Sequence, residues 1–384
     1  MTRTIVFILV VSIIFSIYGS LNYYIFIRGL HALRPVDTWR VVYIVAFIFL
    51  AVSFIAAMFL ERADIISIGK PLSWIGSFWL GAFVYFLLIV AAIDLLRLVN
   101  HFVHFFPSFI TSDPLHAARV TAYCVISLVA IVVIYGFINA HMIRVRTFDI
   151  RVDKSAGGRK SLNIVMASDI HLSSIINNGR IGAIVRKINS LSPDIVLLPG
   201  DILDGDLNPV IHQNLGEAVR QIKAPLGVYA ITGNHEYIGG VEKACKYITE
   251  HGVKILRDST AFVGNSFYIV GREDRSARKR KSLSELMVNV DKKYPVILMD
   301  HQPFHLEEAA ENGVDLQLSG HTHYGQMWPF NYITDMVYEL AYGYLVKGKT
   351  HIYVSSGVGT WGPPLRIVAD PEIADFRLEF RTAE

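Results

Sequence analysis

The chain has 384 residues, a formal net charge of +3 and a mean hydropathy of +0.40, with 52% of its residues hydrophobic. So slight a positive excess gives no basis for a nucleic-acid partner. Two cysteines, Cys124 in an apolar run and Cys245 in an expected helix, indicate no disulfide framework and fit a reducing compartment.

The length accommodates two domains, and the apolar residues are unevenly spread. Ile, Val, Leu, Phe and Ala dominate from Thr4 to Ile138, whereas charges recur every few residues after Val145. Within residues 1–145 four stretches, about 5–27, 41–60, 72–93 and 120–138, contain no Asp, Glu, Lys, Arg or His. Each is long enough to cross ~30 Å of hydrocarbon, which takes about 20 helical residues. A signal peptide would be shorter and would occur once, and a buried soluble bundle would keep a polar stripe on its helices. The expectation is therefore an all-α transmembrane bundle of four helices with both termini on one side. If that side is cytoplasmic, Arg3, Arg62, Lys70, Arg144, Arg146, Arg151, Lys154, Arg159 and Lys160 lie inside, against Arg28, Arg34, Arg40, Arg97 and Arg119 outside. That balance orients the rest of the chain into the cytoplasm. His101 and His104, among Phe102, Phe105 and Phe106, read as an interfacial segment rather than a metal site.

Residues 146–160 read as a linker, and 161–384 as a soluble domain of alternating strands and helices. Strands are expected at 162–167, 195–198, 227–231, 253–256, 267–270, 296–299, 316–318 and 351–355. Helices are expected at 180–190, 209–223, 240–250, 283–290 and 304–312. Polar motifs follow five of the strands: Ser168-Asp169-Ile170-His171, Pro199-Gly200-Asp201, Thr232-Gly233-Asn234-His235-Glu236, Asp300-His301 and Ser319-Gly320-His321-Thr322-His323. Singly, each is ordinary turn chemistry. In series, they deliver oxygen and imidazole groups to one rim of a sheet, where open α/β sheets place their sites. Imidazole, carboxylate and amide ligands without thiolates suit two borderline divalent ions such as Mn, Fe, Zn or Co. Two cations about 3.5–4 Å apart need a shared anion, and Asp201, central in the set, can supply it.

These five blocks resemble the calcineurin-like metallophosphoesterases, whose pattern reads Asp-x-His, Gly-Asp, Gly-Asn-His-Asp/Glu, His and Gly-His-x-His. The match spans Asp169 to His323 and concerns the soluble domain only. The resemblance implies a four-layer αββα sandwich. It implies that Asp169, His171, Asp201 and His323 hold one metal, that Asp201, Asn234, His301 and His321 hold the other, and that His235 serves the leaving-group oxygen, with Glu236 orienting it. Gly320 to Gln326, Trp328-Pro329-Phe330, Tyr353 to Gly359 and Pro363 to Arg366 resemble a membrane-associated bacterial branch that often reads Gly-His-Thr-His-Gly-Gly-Gln; Tyr324 departs from it. Some similar enzymes cleave the pyrophosphate of a UDP-diacylated-glucosamine lipid precursor.

The expected activity is hydrolysis of a phosphodiester or pyrophosphate bond, through attack by a hydroxide shared between the metals. A lipid-linked substrate in the bilayer comes first, because an anchor raises the site's effective concentration there. A phosphodiesterase acting on soluble nucleotides and a non-enzymatic membrane sensor are the alternatives. A nuclease would need a broad basic track, and a transporter a polar pathway through the spans. The basic cluster Arg278 to Lys281 reads as a solvated loop or an anionic-lipid clamp, and Phe330 to Tyr344 as core packing or a lid facing lipid.

Overall fold

The computed structural model describes residues 3–34 and 37–381; of Arg3, Thr4, Val6, Phe7, Ile8 and Asp37 only the backbone is described, and positions 382–384 of the expected soluble domain lie outside. The chain divides into two compact units, Met1–Leu60 with Pro71–Tyr135, and Glu61–Lys70 with Gly136–Glu384.

Four long helices carry the first unit: α1 (Arg3–Leu33), α2 (Asp37–Arg62), α3 (Ile66–Val103) and α4 (Pro114–Ala140). All four are long and apolar enough to cross a membrane. Their outer faces expose residues such as Ile13, Ile48, Phe59 and Ile131, as a lipid solvent requires. Inside, Ile25, Trp79 and Phe83 form a core with Tyr18, Phe47 and Leu50 around it. The Trp79 indole N–H donates to Asn22 Oδ1 at 3.2 Å, so this buried amide is satisfied. Gly76 lets α3 approach α2 closely, since a Cβ there would strike the Phe54 backbone. The helices outrun the charge-free stretches. The 38 residues of α3 extend beyond the apolar thickness and take in Asp94 and Arg97. Asp94 pairs with Arg28 at 2.8 Å and Arg97 at 3.3 Å and accepts from the Tyr24 hydroxyl at 2.5 Å.

The second unit contains twelve strands among the described residues: β1 (Arg144–Val152), β2 (Ser161–Met166), β3 (Ile195–Pro199), β4 (Val228–Ile231), β5 (Val253–Ile255), β6 (Ser259–Val263), β7 (Phe267–Gly271), β8 (Val296–Met299), β9 (Leu316–Ser319), β10 (Gly343–Lys347), β11 (Thr350–Val354) and β12 (Glu372–Phe380). They form two six-stranded sheets ordered β1-β12-β2-β3-β4-β5 and β10-β11-β9-β8-β7-β6. Their facing sides bury Ile164, Leu197, Phe267, Ile297, Leu318 and Phe376 in one core. Helix α5 (Asn178–Ser190) and helix α6 (Val241–Glu250) cover the outer side of the first sheet with Ile181, Ile184, Ile188 and Ile248. Leu283, Leu286, Met287 and Ala309, from the segments 283–287 and 307–311, cover the second sheet. The result is an αββα sandwich. Strands β2 to β5 run parallel, as do β7, β8, β9 and β11, so the ends of β2, β3, β4, β8 and β9 open toward the site.

The first part of the stretch expected as a linker, residues 146–152, belongs instead to an edge strand. β1 pairs in parallel with β12 over nine residues, from Arg144↔Glu372 to Val152↔Phe380. Its alternation of Ile150 and Val152 with charged neighbours reads as a polar linker until the partner strand is known. β12 carries Glu372, Asp375, Arg377 and Glu379 among its apolar residues, which hid it in the same way. The expected helix at 209–223 is two short segments, 208–212 and 216–219, broken where Asn214 takes φ 53°. The α2–α3 connection belongs to the second unit. Glu61 accepts from Ser174 Oγ at 2.6 Å, Asp64 meets His212 at 2.7 Å and Lys70 donates to Gln213 at 2.9 Å.

Candidate metal centre

The five strand ends bring the expected site residues together. Asp169, His171 and His323 form one cluster and Asp201, His301 and His321 another, the ligand atoms in each lying within 4.8 Å of one another. Asp201 lies between them: its Oδ2 is 3.2 Å from His301 Nε2 and 3.8 Å from His171 Nε2. Asn234 Oδ1 is 2.9 Å from His321 Nδ1.

The backbone is bent to achieve this convergence. Asp169, His171, Asp201, His321 and His323 all have φ between 46° and 73°, a left-handed conformation that costs a non-glycine residue about 1–2 kcal/mol. Such strain collects at functional sites and persists only when the surrounding structure imposes it. Glycine lets the loops close up: a Cβ on Gly233 would collide with Asp201 Oδ1, and one on Gly320 with Asp169 Oδ2.

The electrostatics fit divalent cations. Asp169 and Asp201 are 0% and 2% exposed, and buried carboxylates need strong compensation. Asp169 Oδ2 has no hydrogen-bond partner. His171 Nε2 and His323 Nε2 are 2.9 Å apart, a separation two imidazole lone pairs tolerate only with a proton or cation between them. Burial, with Arg366 and His171 adding to it, holds His323 well below its usual pKa, and burial with His301 holds His321 down at about 4, so both rings are neutral. His301 is buried, which opposes charging, yet Asp201 outweighs this and raises it well above normal. His301 faces Asp201 Oδ2 through Nε2 without a hydrogen bond, a pairing that a shared cation would satisfy. Its Nδ1 is 2.8 Å from Pro199 O, which fixes the ring with Nε2 facing the cluster. The Asp/His clusters of this domain are thus suited to a divalent metal pair.

His235 stands at the edge of the clusters. Its Nδ1 is 3.1 Å from Asp204 Oδ1, and the same oxygen is 3.1 Å from His171 Nδ1. Burial lowers the His235 pKa, but Asp204 and Asp201 outweigh it and hold it up at about 9. Glu236 does not orient His235. Its carboxylate accepts from the backbone N–H groups of Gly233 (2.7 Å), Leu203 (2.9 Å) and Asp201 (3.1 Å), tying the β3 and β4 loops together. The carboxylate beside His235 is instead Asp204, a charge contact without a hydrogen bond to Nδ1. The sequence offered no signal for it beyond an acid three residues after Asp201.

Arg366, which the sequence presents only as the end of a Pro-Pro-Leu-Arg run, is fully buried. It donates to the carbonyls of Ser356 (2.6 Å), Gly359 (2.6 Å), Gly357 (3.2 Å) and His323 (3.3 Å) and closes the wall behind His323. Replacing Arg366 by Met should strand these acceptors and lower unfolding stability by about 2–4 kcal/mol. Chemical denaturation of the purified protein measures this, and an unchanged midpoint would remove Arg366 from the support of the site.

Residues 162–325 match the family described as calcineurin-like phosphoesterase. An uncharacterized metallophosphoesterase of Aquifex aeolicus is 33% identical over 247 residues, covering 62% of this chain and 93% of that protein. One of Bacillus subtilis is 31% identical over 264 residues, covering 64% and 90%. A transmembrane protein with metallophosphoesterase domain from Danio rerio is 30% identical over 269 residues, covering 66% of this chain and 61% of its own length. With its site motifs on the strand ends of an αββα sandwich, this chain belongs to the calcineurin-like metallophosphoesterases, the metal-dependent phosphoesterases.

Proposed function

We propose that the centre holds two divalent cations, one on Asp169, His171, Asp201 and His323 and one on Asp201, Asn234, His301 and His321. We propose that it hydrolyses a phosphodiester or pyrophosphate bond in a lipid-linked substrate at the membrane surface, on the cytoplasmic side of a bacterial inner membrane. The nine-to-five basic balance supports that side.

One observation carries the lipid reading. Helix α7 (Phe330–Val337) presents Tyr332, Ile333, Met336 and Val337 outward, each more than half exposed. It follows directly on the His321–His323 loop, and Tyr338 at its end lies 6.1 Å from the His321 ring. A soluble domain buries such a face. In a chain with four membrane-crossing helices, an exposed amphipathic helix beside the site is suited to lie in lipid headgroups. Across the site, Trp361, also half exposed, is 6.3 Å from the His235 ring.

Bound divalent cations would supply a water acidified to near-neutral pKa and neutralise the phosphoryl oxygens. The chain's own residues do the rest. Asp201, held by the His235 backbone N–H at 2.9 Å, keeps the two clusters in register. His235, beside Asp204, carries a proton to the leaving oxygen.

The test is a hydrolysis screen of purified full-length protein with added Mn, setting lipid-linked diesters and pyrophosphates against soluble phosphate esters. Preference for soluble nucleotides would replace the lipid reading. Met336→Glu combined with Val337→Glu should reduce kcat/KM on a lipid substrate in vesicles about tenfold or more, through lost apolar insertion, with a far smaller effect on a soluble ester. Equal losses on both would show that α7 shapes the centre rather than meeting lipid. A reporter fused after Glu384 fixes the side of the membrane.

A further inference from the structure

On the His301–His321 flank of the centre lies a cavity of about 290 Å³, lined by Arg272, Arg275, Arg280, Phe304, His305 and Glu308. Three guanidinium groups face two carboxylates there. Arg272 Nη1 pairs with Asp300 Oδ2 at 3.1 Å and Glu308 Oε2 at 2.8 Å, and Arg280 Nη2 pairs with Asp300 Oδ1 at 2.5 Å. Arg275 has no carboxylate partner among the described residues. Its guanidinium lies 4.5 Å from the Phe304 ring centroid, which fixes its plane through a cation–π contact. Arg275 is therefore the guanidinium of this cavity that no carboxylate pairs among the described residues, and it is held in place by the ring. The basic cluster noted in the sequence is partly turned inward to build it, since Arg280 is on Asp300 and the Lys281 backbone N–H on Asp258.

The cavity is tied to the reaction centre at several points. Asp300, the anion between Arg272 and Arg280, immediately precedes His301. Phe304 packs on Tyr338 at 4.7 Å, and Tyr338 on His321. The loop bearing Arg275 is anchored where Asp274 N donates to Thr232 Oγ1 at 3.2 Å, two residues before Asn234. Gln302 Nε2, next to His301, holds the Asp274 carboxylate at 2.9 Å. Arg275 is thus presented from the loop after β7, which is hydrogen-bonded to the loops bearing Asn234 and His301.

We infer that Arg275, backed by Arg272 and Arg280, is an anion subsite that binds a second phosphate of the substrate, one bonded beyond the phosphorus that reacts. The inference rests on the phosphoesterase reading of the centre and narrows it to substrates with two phosphate groups, as a pyrophosphate-linked or bisphosphorylated compound has. Arginine suits this role because its planar fork binds phosphate in two places, and its charge survives at any working pH. The chemistry is shared by a lipid's second phosphate and by one on a soluble molecule.

The experiment uses full-length Mn-loaded protein in detergent and two chromogenic esters that react at the same bond, the 4-nitrophenyl ester of thymidine 3′-phosphate with and without a 5′-phosphate. Wild type should favour the bisphosphorylated ester about tenfold in kcat/KM, mostly through KM, the size expected of one charge-assisted pair. Arg275→Gln should bring the ratio to within about twofold of one, and Arg275→Lys should leave it between. A ratio in Arg275→Gln equal to wild type overturns the subsite. So does a loss that appears only when phosphatidylglycerol vesicles are added and is the same for both esters, which would make Arg275 a membrane contact. Turnover of neither ester by a metal-loaded wild type would sink the phosphoesterase reading itself, and the subsite with it.

Discussion

Asp201→Asn should empty the centre. Metal analysis of the wild-type protein should find about two divalent ions per chain when loaded, and the variant well under one. Turnover should fall about 10³-fold or more, a loss of several kcal/mol of transition-state stabilisation. The reason is positional. Among the described residues, Asp201 Oδ2 is the one carboxylate oxygen within 4 Å of imidazoles from both clusters, His171 and His301. Its Oδ1 is already engaged by the His235 backbone N–H. An asparagine can still accept that hydrogen bond, so the β3 loop keeps its course. It then either turns an N–H₂ toward the cations or offers a neutral oxygen where two positive charges need an anion. The fold should survive, because the loop is separately tied by Glu236, and circular dichroism with a denaturation midpoint checks this. A variant that retains both its metals and its rate would show that Asp201 does not join two cations.

The same loops show why the site was legible in the sequence before any coordinates. Each ligand stands two to five residues beyond an apolar strand, and the left-handed backbone at Asp169, His171, Asp201, His321 and His323 turns the chain within that short distance. The signal is therefore local: a strand, a tight bend, a ligand. The residues that escaped depend on partners distant in sequence. Asp204 is set beside His171 because the loops after β2 and β3 pair backbone to backbone, through His171 N on Asp201 O, Leu172 N on Ile202 O and Asp204 N on Leu172 O. No spacing rule announces such a pairing. Arg366 lies 43 residues from His323, whose carbonyl it holds. β1 and β12 went unseen because their outward residues are charged and each becomes a strand only beside the other. Helix α7 exposes the limit of periodicity: an amphipathic pattern specifies an apolar face but not whether protein or lipid covers it. Tyr324 shows what sequence and coordinates say together. Its φ of 47° accounts for glycine at this position in the resembling branch, and a tyrosine there accepts strain while stacking on Tyr342 at 5.4 Å.

His235→Ala should separate chemistry from metal binding. The side chain is in neither of the two clusters that Asp201 lies between and stands instead with His171 and Asp204, and the backbone N–H that fixes Asp201 Oδ1 remains in the variant, so both cations should stay within about 20% of wild-type occupancy by metal analysis. The rate should fall about 10²–10⁴-fold on substrates with alkoxide or phosphate leaving groups, the usual contribution of a positioned proton donor. With a 4-nitrophenolate leaving group, which needs little protonation, the loss should shrink to about tenfold or less. That dependence on the leaving group separates a proton donor from a residue that merely shapes the pocket, whose removal would cost every substrate alike. Asp204→Asn provides the companion measurement. It leaves the imidazole in place but withdraws the carboxylate at 3.1 Å from its Nδ1, so it should show the same leaving-group pattern at about 10–100-fold. Because Asp204 also contacts His171 Nδ1 at 3.1 Å, this variant should in addition weaken metal affinity on the Asp169 side, which His235→Ala should not. Loss of metal in His235→Ala, or equal rate losses across leaving groups, would remove the proton-donor role and leave His235 as a part of the metal cradle.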